Sequence, residues 1–277
     1  MNYNFLIIGG DTRIASLAKL LKRDGNNVKT YANEIKDFDI EELNTLEDAK
    51  IECNKCDIII SSIPLTKDNI NVYSPNSDKI ISIQTLKEIS KDKKIIAGKL
   101  DGLIEGYDAL EDEALTILNT IPTAEGAIQV AMEETTYTLN NMNVLVLGFG
   151  RVGKLLSYKL KNLGANVYAE ARKESDLAWI KAYGYTPIDL KDLNNYLCKM
   201  DAIFNTVPVK ILNKSRLILI SSDSLIVDLA SYPYGVDFEV AKKLGIKTII
   251  ASALPGKVAP DTAAIYVKDY VYRVLNK

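Results

Sequence analysis

The feature that most constrains the fold is a glycine-rich turn between a strand and a helix. Residues 148–153 read Gly-Phe-Gly-Arg-Val-Gly, and they join the apolar run Asn143–Leu147 to a helical pattern that ends near Gly164. This strand–turn–helix context makes G-x-G-x-x-G a dinucleotide-binding signature. The glycines permit a tight turn, approach of the pyrophosphate to the backbone and close packing of helix on strand. The predicted cofactor-binding residues of this Rossmann-type turn are Gly148, Phe149, Gly150, Arg151, Val152 and Gly153.

The end of the next predicted strand, Asn166–Ala169, bears on the choice of cofactor. An NAD site places a carboxylate there for the ribose hydroxyls, whereas an NADP site uses arginine for the 2′-phosphate. Glu170 is a candidate ribose ligand, but it comes early for the usual spacing. Arg172 and Lys173 offer two cations for a phosphate dianion. These residues favour NADP over NAD, with a solvated charged loop as the alternative.

Two further segments follow predicted strands of the same half. Thr206, Val207 and Pro208 come at the end of one strand, and Ser231 comes just after the next. Open α/β sheets bind ligands at the carboxyl ends of their strands. We expect residues 206–208 to pass the cofactor ribose and Ser231 to face the nicotinamide, with simple strand-to-loop exits as the alternative.

Apolar runs alternate with helical patterns along the whole chain, which predicts an α/β fold with parallel sheets. The predicted strands of the first half are Phe5–Ile8, Val28–Tyr31, Asp57–Ile63, Lys79–Ile83 and Lys94–Ala97. Those of the second half are Asn143–Leu147, Asn166–Ala169, Ala202–Thr206, Leu225–Leu229 and Lys247–Ala251. Two series of this length predict two doubly wound domains, a flavodoxin-like or Rossmann-like domain followed by a Rossmann NADP-binding domain.

The join between the domains is predicted beside Pro122. Proline disfavours helix at the preceding residue, and Thr123 is a suitable N-cap for a hinge helix over residues 123–138. Glu125 would then lie in the first turn, where the helix dipole stabilises an anion. The predicted domains are residues 1–122 and 123–260, and a C-terminal helix over 261–277 is expected to join the first.

Composition excludes several classes of protein. Hydrophobic residues make up 47% and charged residues 25% of the 277 residues, as in soluble globular proteins. The formal charge of -2 gives no basic field for nucleic acid. Without a basic N-terminal region or an apolar run of ~18 residues, we expect no signal peptide and no membrane span, and a cytoplasmic protein.

The cysteines and the absence of histidine limit the chemistry. No histidine is present, so the commonest general base and the commonest nitrogen ligand for metals are missing. Three cysteines, an odd number, indicate reduced thiols. The pair Cys53 and Cys56 has the C-x-x-C spacing, which we interpret as two ordinary cysteines at a loop–strand junction rather than a redox or metal pair. No metal site is predicted.

A set of segments spread over nearly the whole chain resembles the dipicolinate synthase A-subunit family. The segments are Gly9–Arg13, Ile121–Gly126, residues 148–153, Ala171–Arg172, Asp228–Ser231 and Leu254–Pro260. The resemblance implies an NADP-dependent oxidoreductase subunit in the mother-cell cytoplasm of a sporulating bacterium. With the flavoprotein-like B-subunit of dipicolinate synthase it would oxidise the dihydrodipicolinate-type product of the lysine pathway to dipicolinate. The architecture also resembles formate/glycerate dehydrogenases and adenosylhomocysteinase, which rely on histidine.

The small dicarboxylate substrate implied by this resemblance needs cations. Arg13 is the first candidate because it follows a βα turn at a helix N-terminus, with pairing to Asp11 as the alternative. Lys257 is a second candidate, and Glu125 is a candidate acid/base or hinge residue. The other functions left open are a stand-alone NADP-linked dehydrogenase of a small keto, hydroxy or amino acid, and a non-catalytic cofactor-binding subunit. Homo-oligomerisation is also left open.

Overall fold

The computed structural model describes residues 2–35 and 39–276 and contains two six-stranded parallel sheets. The chain divides into two compact units. The first contains the residues up to Asn119 and those from Pro255 onward, and the second is Thr120–Leu254. The predicted class, two doubly wound α/β domains, is confirmed. The division falls between Asn119 and Thr120, whereas the expected boundary followed residue 122.

The first unit has the Rossmann strand order, β3-β2-β1-β4-β5-β6, rather than the flavodoxin order. Its strands are β1 (Asn4–Ile8), β2 (Asn27–Tyr31), β3 (Glu41–Glu42), β4 (Ile58–Ser61), β5 (Lys94–Ala97) and β6 (Tyr107–Asp108). Its helices are α1 (Thr12–Arg23), α2 (Leu46–Lys55), α3 (Ile83–Ile89), α4 (Glu113–Leu118), α10 (Leu254–Val258), which spans the division, and α11 (Pro260–Leu275).

The C-terminal helix completes the core of this first unit. Helix α1 buries Ile14, Leu17, Ala18 and Leu21, which follow the i, i+3, i+4, i+7 spacing of one helix face. Helix α11 buries Val267, Val271 and Val274 in the same apolar cluster. The last part of the chain therefore packs on the first helix.

The second unit repeats the strand order, with β12-β11-β10-β7-β8-β9 across its sheet. Its strands are β7 (Asn143–Leu147), β8 (Asn166–Ala171), β9 (Thr186–Asp189), β10 (Ala202–Asn205), β11 (Leu225–Asp228) and β12 (Lys247–Ile250). Its helices are α5 (Thr120–Glu134), α6 (Arg151–Asn162), α7 (Glu174–Ala182), α8 (Lys214–Leu217) and α9 (Phe238–Lys243). The strand order reverses between β7 and β10, and ligands bind at such switch points.

One predicted strand is wrong. Residues 79–83 form no strand; Ile81 is buried, Ile80 is exposed and the only pairing there is an isolated bridge between Asn71 and Ser82. Ser82 caps α3, because its hydroxyl accepts a hydrogen bond from the Thr85 N–H at 3.0 Å. The cap starts a helix at Ile83 and ends the extended run.

The predicted start of the hinge helix is also wrong. Helix α5 spans Thr120–Glu134, so Thr123 is not its N-cap and residues 135–138 lie beyond it. Pro122 is the third helical residue, where its missing N–H is not needed for an intrahelical bond. Glu125 therefore lies in the second turn, and the expected stabilisation by the helix N-terminus does not apply.

The cysteine pair lies on a helix, not at a loop–strand junction. Cys53 is in the last turn of α2 and Cys56 is its C-cap, and both are buried. Within residues 2–35 and 39–276, no group of three or more His, Cys, Asp or Glu side chains is placed to hold a metal ion. None of the helices in those ranges has the length and apolar character to cross a membrane.

Candidate functional site

The glycine turn connects β7 to α6 at the switch point of the second sheet. Gly148 has φ +89°, and a Cβ there would lie 2.6 Å from both Thr206 Oγ1 and Val207 Cγ2. A Cβ on Gly153 would collide with the Gly148 carbonyl oxygen. These two glycines are therefore required by backbone conformation and by packing.

Gly150 differs from the other two glycines because open space surrounds it. It is the N-cap of α6 and has no side chain to accept from the first-turn N–H groups. A Cβ built on it would meet no described atom within 4 Å. The N-terminus of α6 therefore has no side-chain cap, and the space beside it stays open because residue 150 is glycine. Such a site suits an anionic phosphate.

The side chains of the turn lie around this cradle. Phe149 is buried, with its ring centroid 6.5 Å from that of Tyr183 and 5.6 Å from the Lys154 ammonium. Arg151 is exposed and Val152 is half-buried in the first turn of α6. The structure therefore brings all six residues of the predicted turn together at one helix terminus.

The end of β8 separates an acidic group from two cations. Glu170 is buried, and its Oε2 accepts a hydrogen bond from the Gly148 N–H at 3.2 Å. Its Oε1 has no hydrogen-bond partner among the described residues. Burial raises the pKa of Glu170, and the Gly148 N–H and the Arg172 charge oppose that rise. Glu170, suggested as a ribose ligand, is therefore hydrogen-bonded to the glycine turn in the protein interior.

The exposed part of the same strand end is cationic. Ala171 ends β8 and follows Glu170 on the opposite face of the sheet. Arg172 and Lys173 come next and are both exposed, immediately before α7. The second unit thus presents two cations, with no carboxylate at position 171, beside a phosphate-binding type of turn.

Two buried polar residues, which spacing alone did not single out, hold the neighbouring loops. The Asn205 amide donates to Asp228 Oδ1 at 2.8 Å and to the Val207 carbonyl at 3.0 Å. Asp228 also accepts from the Ala230 N–H at 3.0 Å and the Gly235 N–H at 2.8 Å. The available signal was a polar residue ending each of two apolar strands.

These bonds place the predicted loop residues. The Thr206 hydroxyl donates to the Leu147 carbonyl at 2.8 Å, so residues 206–207 lie against the glycine turn. Pro208 and Ser231 are both exposed after β10 and β11. Thr206, Val207, Pro208 and Ser231 thus lie at the carboxyl edge of the same sheet as Gly148.

Glu125 lies elsewhere in the second unit, on α5. Its side chain is more than half exposed and forms an ion pair with Lys159 of α6 at 2.8 Å. This pair joins two helices that pack together.

Arg13 and Lys257 lie close together in the first unit. Arg13 is buried, with its Nη2 2.7 Å from Asp11 Oδ2, and it also donates to the Ile63 carbonyl. The Thr12 hydroxyl donates to the Gly256 carbonyl, so α10 packs on this turn and the next residue, Lys257, is exposed. The alternative of pairing to Asp11 is thus realised, and the Arg13 charge is balanced locally.

Comparisons with known proteins match both units. Residues 4–111 match the family of N-terminal domains of the dipicolinate synthase A-subunit. Residues 120–231 match "D-isomer specific 2-hydroxyacid dehydrogenase, NAD binding domain". The second unit is therefore a Rossmann domain of the NAD(P)-binding type.

Relatives resemble the chain over different lengths. The dipicolinate synthase A-subunit of Bacillus subtilis is 40% identical over 165 residues, which is 60% of this chain and 56% of that relative. The matched region is thus little more than half of the curated relative. The crystal structure of the A-subunit from Bacillus halodurans has a TM-score of 0.88 at 28% identity, covering 99% of this chain and 98% of that one. For the Bacillus subtilis structure the TM-score is 0.85 at 30% identity, with coverages of 100% and 96%.

Proposed function

Because this chain belongs to the dipicolinate synthase A-subunit family, we propose that it is the NADP(H)-binding oxidoreductase subunit of a dipicolinate synthase. The reaction is the oxidation of the dihydrodipicolinate-type product of the lysine pathway to dipicolinate. The flavoprotein-like B-subunit takes part, in the mother-cell cytoplasm of a sporulating bacterium.

The observation that carries the cofactor assignment is the end of β8. Position 171 is alanine, Glu170 is buried beneath Gly148, and Arg172 and Lys173 are exposed. An exposed carboxylate here would repel a 2′-phosphate, whereas an exposed arginine binds one with charge-assisted hydrogen bonds. These residues support NADP rather than NAD.

The other cofactor contacts follow from the geometry of the turn. The α6 N–H groups and the space at Gly150 suit the pyrophosphate, and Phe149, Arg151 and Val152 border it. Thr206 and Val207 lie against the turn. Together with Pro208 they are proposed to pass the cofactor ribose, and Ser231 is proposed to contact the nicotinamide ring. When bound, that ring supplies a two-electron hydride acceptor.

The proposed oxidation removes a hydride from a ring carbon and a proton from a neighbouring atom, which makes the ring aromatic. Arg13 and Lys257 are the proposed cations for the two substrate carboxylates. Lys257 is exposed, whereas Arg13 would act from within its pair with Asp11. Glu125, whose carboxylate is exposed beside Lys159, is the proposed proton-transfer residue.

Reconstitution tests the proposal directly. The purified chain is mixed with NADP⁺ and freshly formed product of the aldol condensation, with and without the B-subunit, and dipicolinate is measured by its absorbance. We expect dipicolinate only when both proteins are present. Turnover of a different keto, hydroxy or amino acid by this chain alone would identify a stand-alone dehydrogenase instead. If the B-subunit were fully active when this chain carries no cofactor, this chain would be a non-catalytic component.

A further inference from the structure

The glycine turn is hydrogen-bonded to a carboxyl group that the proposed function does not use. Glu170 is 2% exposed, and its Oε2 accepts from the Gly148 N–H at 3.2 Å. Its Oε1 is buried and has no hydrogen-bond partner among the described residues. Burying an unpaired charge costs far more free energy than burying an unpaired neutral group. The ionised form of Glu170 is therefore only partly stabilised by the structure.

The side chain of Glu170 lies on an apolar face of the second sheet. Strand register pairs Glu170 with Leu147 of β7 and with Ile188 of β9. Residues paired in parallel strands point to the same face, and Leu147 and Ile188 both belong to one buried apolar cluster. Tyr168, two residues earlier on β8, packs against the same cluster. Apolar surroundings disfavour the charged form of a carboxyl.

The charged groups that face Glu170 leave this balance in place. Arg172 follows on the same chain segment and is exposed. Arg216 of α8 donates its hydrogen bonds to two backbone carbonyls and an asparagine. Asp189 ends β9 and adds a like charge, although Lys191 pairs with it at 3.0 Å. Burial raises the pKa of Glu170 more than the turn N–H and the two arginines lower it.

The proposed cofactor would bring negative charge close to this carboxyl. Gly148 and Gly150 belong to the same turn, and the open space at Gly150 is the proposed place of the pyrophosphate. A like charge nearby disfavours the ionised form of a carboxyl. A dinucleotide whose phosphates lie at this turn should therefore bind more tightly when Glu170 is neutral.

We propose that Glu170 couples cofactor binding to proton uptake, so that the dinucleotide binds more tightly to the protonated protein than to the ionised one. This inference rests on the proposed cofactor site at residues 148–153. The proton comes from solvent and is carried by Oε1, since Oε2 accepts from the Gly148 N–H.

Linkage fixes the direction of the pH dependence. A ligand that prefers the neutral carboxyl must promote its protonation on binding. The affinity therefore falls as pH rises through the value at which Glu170 loses its proton in the free protein. Burial places that pKa above the ordinary 4.5. The fall ends where the carboxyl also ionises in the complex.

Calorimetric titration of the intact chain with NADP⁺, at several pH values from 4.5 upward, tests this coupling. E170Q cannot ionise and keeps an acceptor for the Gly148 N–H. We expect the ratio of the native Kd to the E170Q Kd to rise by about tenfold as Glu170 ionises. The ratio cancels the ionisation of the cofactor's own 2′-phosphate, which is the same in both titrations. E239Q, on the exposed side of α9, should keep the native pH dependence.

Proton uptake by the native chain gives a reading that needs no variant. The titration is repeated in two buffers of different ionisation enthalpy, with NAD⁺ as the probe. NAD⁺ carries the pyrophosphate but lacks the 2′-phosphate, which itself titrates at about pH 6. We expect uptake of up to one proton per NAD⁺ bound, over the pH range in which the ratio changes. E170Q should take up correspondingly less.

Several results would overturn the proposal. The first is a ratio that stays constant or falls as pH rises, and the second is NAD⁺ binding without proton uptake at every pH. The third is an E239Q chain whose pH dependence changes as much as that of E170Q. Tight NADP⁺ binding with a constant ratio would leave the proposed cofactor site intact and remove only the coupling. If neither cofactor bound the native chain at any pH, the proposed function itself would fail, and this inference with it.

Discussion

At the scale of single residues, the proposed selection of NADP over NAD depends on Arg172 and Lys173, the cations that follow β8. If Arg172 binds the 2′-phosphate, R172A removes a charge-assisted contact that only NADP makes. Such contacts contribute ~1.5–3 kcal/mol, so NADP⁺ affinity should fall about 10- to 100-fold with little change for NAD⁺. Equilibrium titration of both cofactors measures this, with K243A as a control. An equal loss for both cofactors would contradict the 2′-phosphate assignment.

Glu170 should make the stability of the protein depend on pH. Burial raises its pKa above the ordinary 4.5, although the Gly148 N–H and Arg172 oppose the rise. A carboxyl whose pKa is raised by folding stabilises the fold below its ordinary pKa, and that contribution is lost as pH rises through the raised value. E170Q keeps an acceptor for Gly148 and cannot ionise. Its free energy of unfolding should therefore improve relative to the native chain as pH rises above the ordinary pKa of 4.5.

Urea denaturation at several pH values checks this expectation, with the exposed Glu239 changed to Gln as the control. A relative stability of E170Q that falls as pH rises would show that the ionised carboxylate is the favoured form. E170A should be less stable than E170Q by about 1–3 kcal/mol, because the Gly148 N–H then loses its acceptor.

Spacing alone indicated that Glu170 comes early for a ribose ligand, but not what it does instead. Alternate residues of a strand point to opposite faces, so a shift of one residue moves a carboxylate from the exposed edge to the interior. The identity of its interior partner, the Gly148 N–H, depends on the register of β7 with β8. Such register is set by tertiary packing and is not encoded in the local pattern.

At the scale of elements, the glycine turn gives two substitutions with different expected effects. Gly150 has space for a Cβ and an ordinary φ of −79°, so G150A should fold with nearly native stability. The added methyl would occupy the proposed place of the pyrophosphate, so we expect NADP⁺ binding to be lost. G153A forces a Cβ against the Gly148 carbonyl, so it should lower the free energy of unfolding by about 1–3 kcal/mol. We expect it to abolish NADP⁺ binding as well.

Thermal unfolding with and without NADP⁺ separates these two effects, because a ligand that binds only the folded state raises its stability. If G150A were still stabilised by NADP⁺ to the native extent, the pyrophosphate would not lie at this turn. Similar melting temperatures for G153A and the native chain would show that the turn tolerates the added methyl.

Elements with strong periodicity were predictable, and elements decided by a cap were not. Ile14, Leu17 and Leu21 of α1 have the spacing of one helix face, which is a signal that the sequence alone carries. The run 79–83 looked like a strand because its apolar residues were visible, whereas the Ser82 cap acts through one hydrogen bond. Pro122 likewise indicated a helix boundary but lies inside the first turn of α5. Caps and prolines in the first turn leave a weak signal in composition.

At the scale of the whole molecule, two sheets share one strand order but their first βα turns differ. Asp11 is the N-cap of α1, and its carboxylate accepts from the Arg13 N–H at 3.1 Å and pairs with the guanidinium. Gly150 caps α6 without a side chain. The first helix N-terminus is thus occupied by the chain's own anion, whereas the second is open to a phosphate. Strand order therefore gives the architecture, and the turn decides which unit binds the dinucleotide.

The return of the C-terminus to the first unit also has a measurable consequence. Val271 is fully buried against the α1 cluster, whereas Ile265 on the same helix is 44% exposed. V271A should lower the free energy of unfolding by about 1–3 kcal/mol, because it removes buried methyl groups and leaves a cavity. I265A is the matched control and should cost less than about 0.5 kcal/mol. Equal losses in urea denaturation would mean that α11 does not complete this core.

Binding of NADP(H) by the second unit, at the turn formed by residues 148–153, is the property on which the proposed function depends. Isothermal titration of the intact chain with NADP⁺ and then with NAD⁺ tests it most directly. The proposed 2′-phosphate contacts of Arg172 and Lys173 predict one site per chain and NADP⁺ affinity at least about tenfold higher than NAD⁺ affinity. NAD⁺ binding as tightly as NADP⁺, or no binding of either, would contradict this assignment.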